Sequence, residues 1–118
     1  AMLAHLPEAE LAPVLQRQAW HPFTAKTITN ADAMRAELAA IRARGHAFDD
    51  EEHEPGIICI AMPIRTRAGR VLGALSVTST TERTDLDGLL GHLPAIGRAV
   101  AAIGGEAQDW RFPDQAAE

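Results

Sequence analysis

Behind Pro7-Glu8-Ala9-Glu10, the residues Leu11, Val14 and Leu15 recur at helical spacing. Proline suits the first position of a helix, and acids suit the positive end of its dipole. A helix therefore starts near Pro7, with a kink or short break expected at Pro13, whose ring removes a backbone donor. Trp20-His21-Pro22-Phe23-Thr24 reads as a surface loop, with Trp20 or Phe23 packed back on the body. The clearest periodicity follows. Asn30 is a good N-cap, Met34, Leu38 and Ile41 fall at i, i+4 and i+7, and Gly45 supplies a left-handed stop. The spacing predicts an amphipathic helix over Ala31 to Arg44, packed on one side.

The period then changes from helical to strand-like. His46-Ala47-Phe48-Asp49 is a short strand candidate, followed by an acidic turn over residues 50–56. The β-rich run 57–64 and the run 70–78, separated by the turn-like Thr66-Arg67-Ala68-Gly69, predict a β-hairpin. Leu86, Leu89, Leu90, Leu93, Ile96, Val100 and Ile103 restore helical spacing over 84–103. Pro94 should kink or split this stretch, and Gly104-Gly105 should end it. Residues 106–118 are polar apart from Trp110 and Phe112 and read as a tail. The order helix, helix, strand, hairpin, helix predicts an α+β domain, an antiparallel sheet with flanking helices.

Alternation gives the hairpin two unequal faces. Ile58, Ile60, Met62, Ile64, Val71, Leu75 and Val77 make a bulky aliphatic side, which is core. Cys59, Ala61, Ala74, Ser76 and Thr78 make a side of small residues with hydroxyl and thiol groups. Loop length leaves two registers open. A four-residue loop at 66–69 sets Cys59 opposite Ser76, and a two-residue loop at 68–69 sets Cys59 opposite Thr78 and Ala61 opposite Ser76. Either way the small face is a candidate ligand surface, since such sites are apolar with a few polar groups. The competing reading closes it under the helix 31–44.

Composition narrows the classes. The chain has 118 residues, near the commonest domain size, and its apolar and charged fractions of 47% and 23% are those of a globular domain. A net charge of -5 argues against stand-alone DNA binding. A single Cys excludes an internal disulfide, and no apolar run reaches the length of a membrane span. No signal peptide is evident at Ala1-Met2-Leu3-Ala4-His5, and the expected location is cytoplasmic. Asp49, His53 and Cys59 are candidate metal ligands whose spacing matches no zinc pattern, and Cys59 with His53 is a candidate nucleophile and base. Both are weighed against a solvated acidic turn and a small buried thiol. His5, His21, His46 and His92 are scattered and suggest no shared site. No enzyme activity, metal or cofactor is expected.

Thr27-Ile28-Thr29, the run 38–45, Asp49-Asp50-Glu51-Glu52, the run 56–63, Gly69, Ala74-Leu75-Ser76-Val77 and Arg83 come in an ordered series. With the opening Ala4-His5-Leu6-Pro7-Glu8, they resemble the effector-binding domain of IclR-family transcriptional regulators over residues 1–105. The resemblance implies a GAF-like fold, incomplete at its N-terminus because Ala1 falls where mid-domain sequence is expected. It implies a small-molecule effector, a small carboxylate or aromatic acid, whose binding modulates a separate winged helix-turn-helix domain. DNA would be contacted only through that domain, absent from this chain, with no membrane partner and a homodimer or tetramer as the assembly. By motif, the family's pocket residues fall on Asp49, Cys59, Ser76 and Thr78, and the small face adds Ala61. Where Thr78 stands serine is the more familiar residue, so the extra methyl would narrow the pocket. The alternative is a structural or dimerisation fragment that binds no effector. That alternative expects the small face to be filled by Met34, Leu38 or a partner chain.

Overall fold

The structure, a computed structural model, describes residues 1–111 and 113. Phe112 and residues 114–118 of the expected tail lie outside the described residues. A short 3-10 turn at Leu3–His5 leads into α1 (Glu8–Arg17) and α2 (Ala31–Arg44). Three strands follow, β1 (Ala47–Asp50), β2 (Ile57–Arg65) and β3 (Val71–Thr80), and then α3 (Leu86–Leu90) and α4 (Leu93–Glu106). The strands form one antiparallel sheet in the order β1-β2-β3.

The ends of α2 follow its sequence. The Asn30 side chain accepts from the Ala33 N–H at 2.8 Å, and Gly45, at φ 86°, returns its N–H to the Ile41 carbonyl. Pro94 splits the last helical stretch: α3 closes at Leu90, and α4 opens at Leu93 with the proline in its first turn, where a missing donor is tolerated. Two expectations are corrected. Pro13 does not break α1, which runs through it, held by buried Leu11 and Leu15 on either side. Gly104-Gly105 does not end α4, which continues to Glu106. Gly104 is there for closeness rather than termination, because a Cβ on it would overlap the Arg65 carbonyl oxygen.

Two apolar clusters hold the elements. One face of the sheet carries Ile58 and Ile60, with Phe48, Met62, Leu75 and Val77, against Leu89, Ile96 and Val100 of α3 and α4. The second cluster gathers Ala4, Leu11, Leu15, Leu38, Ile41 and Ala47, with Met34 and Trp20 at its margin. Trp20 therefore packs back on the body, whereas Phe23 is 55% exposed.

The register of the hairpin is set by a bulge. Ile64 pairs with Gly73 but Arg65 with Val71, leaving Leu72 as an extra residue on β3. The turn itself closes on Thr66, whose N–H reaches the Arg70 carbonyl at 2.9 Å, with Gly69 at φ 88°. Beyond the bulge the strands run in the register of the shorter loop.

Two fastenings complete the fold. At the hairpin turn, Arg70 Nη2 donates to the carbonyls of Gln108 and Trp110 at 3.1 and 2.7 Å, and the Arg67 N–H donates to Gln108 Oε1 at 3.0 Å. Residues just beyond α4 are thus tied to the sheet. At the acidic turn, Thr24 Oγ1 donates to the Glu51 carbonyl at 2.6 Å and Thr27 Oγ1 to the Glu52 carbonyl. Lys26 adds ion pairs to Asp50 and Glu51.

Candidate functional site

The sheet places the predicted residues in two ranks. Asp49 on β1 pairs with Cys59 on β2, which pairs with Thr78 on β3; next to them run Ala47, Ala61 and Ser76. Directly paired residues of antiparallel strands project to the same side. All five candidates, Asp49, Cys59, Ala61, Ser76 and Thr78, therefore share one face, opposite the α3–α4 core. Of the two registers, the one with Cys59 opposite Thr78 is adopted. Cys59 Sγ lies 2.7 Å from Thr78 Oγ1, so thiol and hydroxyl are already hydrogen-bonded to each other. Asp49 is also engaged: its Oδ1 accepts the Glu52 N–H at 2.9 Å and closes the acidic turn.

Helix α2 does not close over this face. Its apolar stripe packs toward α1 and the N-terminal turn, meeting the sheet at Ala47. Ala74, Ser76 and Thr78 are exposed, and Asp49, Cys59 and Ala61 are half-buried. The small residues thus form an open shelf in the described residues.

The acidic turn beside the shelf is electrostatically strained. Burial raises the Glu52 pKa, and Asp49, Glu37 and Asp50 add to the rise, while the Asp50 N–H it accepts works the other way. Glu51 is the reverse. The Gly56 N–H and the Lys26 ammonium stabilise its carboxylate and lower its pKa. Glu51 itself takes φ 55°, the single positive φ among the described non-glycine residues.

His53 and Cys59 have separate neighbours, Phe23 for the one and Thr78 for the other. His53 stacks on Phe23, with centroids 4.6 Å apart, and Phe23 stacks in turn on His21. Among the described residues no group of three His, Cys, Asp or Glu side chains could hold a metal. Asp49 is the candidate that strand alternation did not find. The signal was present, since Phe48 belongs to the core side and so turns Ala47 and Asp49 to the other, but the pairing of β1 with β2 was not legible.

Among the described residues no helix is long and apolar enough to cross a membrane. The family described as bacterial transcriptional regulator IclR C-terminal matches residues 1–104. The HTH-type transcriptional regulator XynR of Escherichia coli is 38% identical over 84 residues, 71% of this chain and 33% of that protein. KdgR of the same organism is 30% identical over 112 residues, 95% of this chain and 43% of that protein. The crystal structure of the C-terminal domain of E. coli KdgR superposes with TM-score 0.80 at 30% identity, over 87% of this chain and 63% of that one. A double mutant of the PobR inducer binding domain from Acinetobacter, in complex with 3-hydroxybenzoic acid, superposes with TM-score 0.82 at 26% identity, over 88% and 62%. The chain thus spans well under half the length of these two curated relatives. A shared sheet, shared flanking helices and a sequence match along nearly the whole chain lead to one conclusion: the chain belongs to the IclR family of bacterial transcriptional regulators, and corresponds to their C-terminal domain.

Proposed function

We propose that this domain senses a small metabolite on the Asp49–Cys59–Thr78 and Ala61–Ser76 ranks. Binding there biases how a separate winged helix-turn-helix domain holds its operator in a cytoplasmic homodimer or tetramer. The observation that carries the reading is the shelf: five side chains on one face, small enough to leave room and left uncovered by α2. The two ranks hold hydroxyl and thiol donors and one acid but no cation. A bound small carboxylate or aromatic acid would therefore receive hydrogen bonds from Ser76 and from whichever of Thr78 and Cys59 does not donate to the other, and keep its charge away from Asp49. That the double mutant of PobR's inducer binding domain holds 3-hydroxybenzoic acid supports the same ligand class here. The effector acts on DNA affinity only as far as it prefers one arrangement of the assembly.

The competing fragment reading requires Met34, Leu38 or a partner chain to fill the face; Met34 and Leu38 pack with α1 and the N-terminal turn and meet the sheet at Ala47, which leaves a partner chain as the form that reading takes. Thermal unfolding against a panel of small carboxylates and aromatic acids tests the proposal. A ligand at a hundred times its Kd should add about 2.7 kcal/mol of stability, a rise of several degrees. Ser76→Ala and Thr78→Val should abolish the rise while leaving the unliganded Tm within a few degrees. A rise that survives both substitutions, or no rise in a chain carrying the whole domain, would overturn the assignment.

A further inference from the structure

A second cleft on the molecule gathers positively charged groups. Between the start of α1 and one face of α2 lies a cleft of about 460 Å³, with Leu11 and Leu38 as its buried floor. Arg35 and Arg42 stand on its wall, two turns apart on α2 and on either side of Leu38. The opposite wall is the N-terminus of α1. Pro7 offers no side-chain cap, and the N–H groups of Glu8 and Ala9 carry no hydrogen bond among the described residues. A helix start with free donors attracts negative charge. In a chain of net charge -5, this cleft gathers two arginines and a helix start against one acid.

That acid is paired with one of the arginines. Glu8 Oε2 accepts from Arg35 Nη1 at 2.8 Å, so a carboxylate of the chain already sits at the rim. Arg42 uses one N–H on the Ala4 carbonyl at 3.0 Å and makes no other hydrogen bond among the described residues. His5, on the same wall, has its Nε2 buried without a partner. We propose that this cleft is a second ligand site, for a small organic anion with one carboxylate and a short apolar body. The carboxylate would lie between Arg35, Arg42 and the first N–H groups of α1, and the apolar body over Leu11 and Leu38. Charge-assisted hydrogen bonds of this kind are the strong ones, and the planar guanidinium favours a carboxylate.

Benzoate is a suitable probe, with benzyl alcohol as its uncharged counterpart, titrated into the isotope-labelled chain and followed by NMR. Benzoate should saturate shifts at the Glu8 and Ala9 amides and the Arg35 and Arg42 Nε–H groups, and benzyl alcohol should not. Arg42→Gln should weaken binding about tenfold, the size of one charge-assisted contact. Glu8→Gln, at an exposed position, should strengthen it by removing the resident carboxylate. Shifts that never saturate, shifts that benzyl alcohol reproduces, or shifts confined to the ranks around Cys59 and Ser76 would overturn the proposal. So would a benzoate affinity unchanged by both substitutions. Because the cleft lies away from the shelf, its failure leaves the shelf reading untouched, and the two are told apart by which amides move.

Discussion

Gly104 and Gly105 are neighbours in α4 with opposite surroundings. A Cβ at Gly104 meets the backbone of Arg65, which cannot swing aside, whereas at Gly105 nothing lies within 4 Å. Alanine is the better helix former by about 1 kcal/mol, so the two substitutions should differ in sign. Gly105→Ala should raise stability by up to about 1 kcal/mol, whereas Gly104→Ala should lower it by about 1–3 kcal/mol as helix and hairpin are forced apart. Chemical denaturation of the two variants measures both, and a stabilised Gly104→Ala would contradict the packing described. In the sequence the pair reads as a helix stop, because Gly-Gly is usually a breaker and the approach of a carbonyl from 39 positions away leaves no local mark. Cys59, Ala61, Ser76 and Thr78 were legible by contrast, since strand alternation alone isolates them, while Asp49 came from the family resemblance.

Among the elements, α2 is the one whose limits the sequence carries in full. Asn30 and Gly45 are residues whose side chain or lack of one does the capping, so the ends follow from chemistry local to them. Asn30→Ala should cost about 1 kcal/mol and Asn30→Asp much less, read as the change in urea midpoint at constant slope. An Ala variant as stable as the wild type would mean that the cap bond to Ala33 contributes nothing. The hairpin is the opposite case. Its two strands were evident, but the register was not, because a bulge at Leu72 reconciles a longer turn with the pairing of a shorter one. Bulges depend on twist and on what the turn packs against, here the Gln108 and Trp110 carbonyls held by Arg70.

For the whole molecule, the outcome that the sequence left most open was the side to which α2 turns. Small residues line both the sheet face and the rear of α2, so composition does not decide between them. The bulkier partners Leu11 and Leu15 of α1 draw α2 away and leave the shelf bare. The same packing sets a pH dependence. The pKa values of His5 and His46 are lowered, in both by burial first and then by Arg65 and Arg44 respectively. The fold prefers these imidazoles neutral. Their contribution to stability is present above the unfolded value of 6.5 and is lost as pH falls through the lower folded values. The histidines' share of the unfolding free energy should therefore decline from pH 7 toward pH 5, so that His5→Gln falls less, or rises more, than the wild type over that range. Glu52 runs the other way. With its folded pKa raised, its contribution is complete below 4.5 and lost as pH rises. Glu52→Gln keeps an acceptor for the Asp50 N–H, so it should be more stable than the wild type at pH 7 and equal to it at pH 4. A His5→Gln protein that declines as steeply as the wild type from pH 7 to 5, or a Glu52→Gln protein weakened at pH 7, would count against these assignments.

The threonine bonds from the 24–27 turn to the acidic turn tie positions 24 and 51, and 27 and 52, across the fold. They close the chain into a ring that contains α2 and β1 whole. A ring fastened at its neck cannot shed one of its members gradually from an end. Amide protons of α2 and β1 should then exchange with solvent through a common opening, at one free energy, rather than in a gradient that decays toward Ala31. Thr24→Val with Thr27→Val would undo the fastening, and the exchange of the two elements would fall out of step.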